Sequence, residues 1–151
     1  MIHGQATKDL IVIAPAAIVD NAAYTTVQID TLGFEYCEII VAIGASDIAM
    51  VALKVQESDT DGSNFTDVTG LVYGTSVNTA GATSTLPTDG SDGTLFKFEI
   101  DLRGRKRYLD LVATAGDGST GTFASATARL SRAKNAPDTA TEQGAAQVLR
   151  L

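Results

Sequence analysis

Apolar and polar side chains alternate along most of this chain. Residues 36–44 read Y-C-E-I-I-V-A-I-G, with Cys37, Ile39, Val41 and Ile43 on one side and Ile40 and Ala42 on the other. Residues 50–57, M-V-A-L-K-V-Q-E, set Val51, Leu53 and Val55 against Lys54 and Gln56. The pattern returns with Phe96, Phe98 and Ile100, then Leu109 and Leu111, then Ala124, Ala126, Ala128 and Leu130. A period of two belongs to a half-buried β-strand, whose successive side chains leave opposite faces. Further strands are expected over 10–14, over 24–30 with Thr25, Val27 and Ile29 on one face, and in one or two pieces over 65–73. Between them, Leu32-Gly33, the D-T-D-G-S-N run at 59–64 and the G-D-G-S-T-G run at 116–121 supply turn chemistry. The last of these reads as a hairpin.

Roughly eight strands with turns at this spacing predict an all-β fold, an antiparallel β-sandwich. A jelly-roll-like arrangement is the first expectation and an immunoglobulin-like sandwich the alternative; the pattern alone does not separate them. Residues 1–8 read as an N-terminal arm, 9–132 as the sandwich domain and 133–151 as an extended C-terminal arm. That arm is polar until it reaches V-L-R-L, and Val148, Leu149 and Leu151 are its candidates for docking on a neighbour by adding a strand to an exposed edge. The small face of the strand at 122–130 would let another sheet or subunit approach closely. Residues 74–93 have little apolar content and read as an exposed tip, with room for short hairpin strands within it.

Composition narrows the functions. A length of 151 residues suits one domain, and the lack of Trp with only 5 Phe and 4 Tyr leaves a core of Val, Ile, Leu and Ala. A formal charge of −7 opposes general binding to nucleic acid, which needs Lys and Arg against phosphate. The apolar run at 10–19 is too short to cross a bilayer and reads as a strand interrupted at Pro15, so no membrane partner is expected. Cys37 is the single cysteine, which excludes an intramolecular disulfide, and its neighbours at spacing two make it a buried hydrophobe. The one histidine, His3, leaves histidine-based triads and zinc sites unsupported. No G-x-S-x-G, phosphate-binding glycine loop or H-E-x-x-H occurs. Asp59-Thr60-Asp61-Gly62-Ser63 departs from a calcium loop, which needs Gly at its sixth position and Glu at its twelfth. Neither a cofactor nor a metal is expected, and no catalytic residue is assigned. The one basic cluster, Arg103, Arg105, Lys106 and Arg107 around Gly104, is the candidate contact for acidic residues of a partner or another subunit.

Two segments resemble a known family. V-A-L-K-V-Q-E-S-D-T-D-G-S-N-F-T-D-V at 51–68 and D-L-R-G-R-K-R-Y-L-D-L at 101–111 are similar to strand-turn-strand stretches of small virion proteins of tailed phages. The resemblance covers about half the chain and implies a capsid decoration, or cement, protein of β-sandwich or jelly-roll type. It implies binding to the outer surface of the head, bridging of major capsid protein subunits, a homo-oligomer (trimer or dimer), and terminal arms. No catalytic residue is implied. The implied location is the virion surface, after synthesis in a bacterial cytoplasm. A tail or baseplate structural protein with a carbohydrate-binding role, its ligand at 74–93, is the alternative. A carboxylate-based hydrolase, with Glu99 or Asp101 facing Asp110, is a distant third.

Overall fold

The computed structural model describes residues 6–149. Eight strands form: β1 (Lys8–Ile13), β2 (Ile29–Asp30), β3 (Tyr36–Ser46), β4 (Ala52–Ser58), β5 (Thr66–Val72), β6 (Thr94–Asp101), β7 (Tyr108–Thr114) and β8 (Thr122–Ser131). They build two four-stranded antiparallel sheets, ordered β1-β8-β3-β6 and β2-β7-β4-β5. The fold is an all-β antiparallel sandwich. Its pairing is nested: β1 meets β8, β2 meets β7, β3 meets β6 and β4 meets β5.

The alternation read from the sequence sets the core. The first sheet turns Cys37, Ile39, Val41, Ile43, Phe98 and Ile100 inward. The second turns Ile29, Leu53, Val55, Leu109 and Leu111 to meet them. Ala126, Ala128 and Leu130 of β8 are also in the core, so the small face of this strand admits the opposite sheet rather than a subunit. Cys37 is buried, and burial, with the Glu38 charge second, pushes its thiol up to about 12. A thiol held that far from ionising is a packing group, not a nucleophile.

Three local expectations need correction. Val51 precedes β4 and is 65% exposed, so the inward series begins at Leu53. Val27 is exposed beside buried Ile29, because β2 holds only Ile29–Asp30. The 116–121 run is no hairpin: β7 and β8 lie in different sheets, and the run crosses between them. Residues 74–93 are largely exposed, as the sequence suggests, and they are ordered. A Val77–Thr83 bridge and a 3-10 turn at Asp89–Ser91 order them, and buried Pro87 accepts a hydrogen bond from Met50 N at 2.9 Å.

The inter-sheet crossing is held mainly by the Asp47 carboxylate, with Asp20 accepting from Gly118 N–H at 3.0 Å. Asp47 Oδ2 accepts from the backbone N–H groups of Ser119 and Thr120, both at 2.6 Å, and Oδ1 accepts from Gly121 at 3.1 Å. These bonds, led by Thr120, hold the Asp47 carboxyl below its ordinary range. A lowered folded value means that the unfolded chain binds the proton more readily. The stabilisation is therefore complete above the ordinary carboxylate range and is lost as pH falls through the lowered value. Asp47→Ala is expected to lower Tm at neutral pH and to flatten the fall of Tm between about pH 5 and pH 2, followed by circular dichroism. A variant whose Tm falls with acid as steeply as the parent's would remove Asp47 from this role.

Candidate functional site

The basic cluster sits at the end of the sandwich where β6 runs into β7. Three of its cations are paired within the chain. Arg103 Nε and Nη2 donate to both oxygens of Asp101, and these bonds bring the Asp101 carboxyl down to about 2. Arg107 donates from Nε and Nη2 to Asp30 at 2.9 and 2.8 Å while its guanidinium lies 4.8 Å from the centre of the Tyr108 ring. Arg105 lies 3.5 Å from Glu57. Lys106 is different: its backbone N–H donates to Glu57 Oε2, and its ammonium makes no ion pair among the described residues. The cluster thus pins the β2, β4 and β6 ends together. The sequence marks the four neighbouring cations, with Asp101 beside them, but not Asp30 and Glu57, which are remote along the chain.

The opposite end carries charge of one sign. Asp20, Asp47, Asp89, Asp92 and Asp117 gather in loops 14–23, 47–51, 73–93 and 115–121, which contain no Lys or Arg. Asp20 and Asp47 serve the backbone of 118–121. No group of three or more His, Cys, Asp or Glu among the described residues is arranged to hold a metal ion.

The C-terminal segment turns back onto the domain as far as residue 145. Asp9 N–H donates to Gln143 C=O at 2.9 Å, so this segment covers part of the free edge of β1. Gln143 is buried, and its amide donates to Pro137 C=O. Glu142 Oε2 accepts from the N–H groups of Asp138 and Thr139 and closes the turn before it. Gly144 sits so close that a Cβ there would stand 1.8 Å from Asp9 O, at φ +75°. Beyond it the chain leaves the domain: Val148 is exposed and Leu149 is 97% exposed. Leu151 lies outside the described residues.

Two further surfaces emerge from the fold, the second of them touching the 74–93 segment that the carbohydrate-binding alternative names. The first is the outer face of the β1-β8-β3-β6 sheet. One cross-strand row places Asp9, Arg129, Glu38 and Glu99 side by side; Arg129 pairs with Asp9 and Lys97 bridges Glu38 and Glu99 at 3.1 Å each, so two cations offset most of the charge of three carboxylates. The adjoining rows are apolar or small apart from Lys97, whose ammonium reaches back to the charged row. Ile11, Thr127, Ile40 and Lys97 share one, Ser125, Ala42 and Leu95 the next, and Phe123 packs against Gly44. Ile11 is 58% exposed, Leu95 67% and Phe123 42%. The second surface is a groove of about 560 Å³ between the edge strands β5 and β6 at the mouth of the sandwich, bordered by Leu71, Tyr73, Val77, Leu95 and Glu99. Alternation marks only which residues leave the core, so neither surface has a local signature.

No protein-family model and no curated protein matches the sequence.

Proposed function

We propose that the chain is a structural virion protein, a decoration or cement protein that binds the outer surface of a tailed-phage head and bridges neighbouring major capsid protein subunits. The observation that carries this reading is the outer face of the first sheet, where exposed Ile11, Leu95 and Phe123 lie around Ile40 and Ala42 beside a row of ion-paired charges. An apolar centre with a polar border is the anatomy of a protein-binding surface. A shell offers many copies of such a contact, so individually modest interfaces add, and a protein that binds only the mature lattice stabilises it by mass action.

The nested pairing supports the jelly-roll form. The chain is folded in half, and the resulting strand pairs are dealt alternately to the two sheets. In the immunoglobulin-like order the first two strands share one sheet; here β1 and β2 lie in different sheets.

In this reading the basic corner supplies the electrostatic part of the contact. Arg103 is 73% exposed, and Lys106 has no ion-pair partner among the described residues, whereas Arg105 and Arg107 also brace the fold. The test is co-sedimentation with expanded heads over a series of salt concentrations. Arg103→Ala with Lys106→Ala is expected to weaken binding and reduce its salt dependence without lowering Tm appreciably. Binding equal to the parent's at every salt concentration would remove the corner from the contact.

The groove bears on the carbohydrate-binding alternative. Its polar side chains are largely occupied: Asn78 serves Ala80 and Ala82, Ser84 serves Ser76, and Ser76 serves Val72. That leaves few groups to hold a polyol, so decoration ranks ahead of glycan binding.

A further inference from the structure

The edge of β6 beside the groove has unfilled backbone positions. Lys97 N–H donates to the Tyr73 hydroxyl at 3.1 Å, and that hydroxyl donates to Lys97 C=O at 2.7 Å. Lys97 therefore turns its backbone away from β3. The alternation of an antiparallel ladder turns the backbone groups of Leu95 and Glu99 the same way. Neither has a hydrogen-bond partner on that side among the described residues. The Tyr73 phenol, packed edge-on against Phe96 and Phe98 at 5.2 and 5.0 Å, thus fills the place of one residue of an absent neighbouring strand. Both flanking positions stand open. Beside them, Leu95 and Val77 are exposed, and Leu71 lines the groove below.

The other edge of the same sheet, β1, is covered in part by the chain's own residue 143. The segment that covers it continues outward with Val148 and Leu149 exposed. An uncovered strand edge and an uncovered apolar segment therefore occupy opposite edges of one sheet.

We propose that the β6 edge accepts residues 146–151 of a second copy of this chain as an added strand. The segment reads Q-V-L-R-L after Ala146. In an added strand Leu149 and Leu151 share one face and Val148 and Arg150 the other. The leucines enter the groove beside Leu71 and Val77. Val148 and Arg150 lie on the outer face near Leu95 and Glu99, and the arginine suits a carboxylate on a chain of net charge −7. The Tyr73 hydroxyl withdraws as the strand takes its place. Donor and acceptor surfaces differ, so the contact is head-to-tail and forms a closed ring where the rotation closes. This inference stands apart from the capsid reading and survives or fails without it.

Sedimentation velocity on the full chain is the test, over a concentration series to about 1 mM. The parent is expected to associate with rising concentration. Val148→Asp with Leu149→Asp removes the donor, and Val77→Asp, on an exposed side chain, spoils the acceptor; each is expected to remain monomeric. Mixing the two restores a dimer, because one retains a sound groove and the other a sound tail. Tyr73→Phe frees the Lys97 backbone and is expected to tighten association by about two- to tenfold, the worth of one hydrogen bond. A monomeric parent, variants that associate like the parent, a mixture that stays monomeric, or weaker association of Tyr73→Phe would each overturn the proposal.

Discussion

Replacing Leu111 with alanine is expected to destabilise the domain by about 2–5 kcal/mol, through lost burial and the cavity left behind. Leu111 is fully buried and stands opposite Val55 on the central strand β7, which pairs with both β2 and β4. At this chain length each kcal/mol moves Tm by roughly 2–4 °C, so a fall of about 4–20 °C follows. Urea titration and thermal melts measure it. The cost should appear in the midpoint with little change in slope, because the surface exposed on unfolding is nearly the same. A loss below about 1 kcal/mol would mean that the sheets do not pack through this position.

Gly121→Ala is the second large effect. Gly121 has φ +94°, and a Cβ there would lie 2.4 Å from Val19 O and 2.9 Å from the Asp20 Cβ. The position is held on both sides: Gly121 N–H donates to Asp47, and the next residue exchanges backbone hydrogen bonds with Val19 at 2.8 and 3.1 Å. Alanine must therefore adopt a left-handed conformation and also push the 14–23 loop away, at about 2–4 kcal/mol. Gly104→Ala separates the two causes. Gly104 has φ +78° with nothing within 4 Å of an added Cβ, so only the conformational cost of about 1–2 kcal/mol applies. Equal losses from the two substitutions, measured by denaturant titration, would show that the Val19 contact carries no weight.

The strands were legible because their chemistry is local. Cys37, Ile39, Val41 and Ile43 alternate over a long central strand, and a one-residue slip would expose all four, so the inward face follows from the sequence. Phe98, Leu109 and Leu111 follow the same rule. The turn at 116–121 was misread because its glycines announce a reversal without saying which strands it joins. The crossing depends on Asp47, some seventy residues earlier, catching the loop. The basic corner was legible as a charge cluster and illegible as a brace, since Asp30 and Glu57 reach it only through the fold. The segment 133–145 looked like an arm because its residues are small and polar. Its fit rests on one glycine against the Asp9 carbonyl and one buried glutamine, contacts that leave no periodic trace. The open edge of β6 was hidden for a related reason: backbone groups read alike in every sequence, and only strand order reveals which remain unpaired.

The capsid proposal is tested most directly by adding the purified chain to expanded and unexpanded tailed-phage heads, and following both binding and the melting temperature of the shell. A cement protein is expected to bind the expanded heads to a fixed saturation, raise their melting temperature, and leave unexpanded heads alone. Absence of saturable binding to expanded heads, or binding that leaves shell stability unchanged, would contradict it.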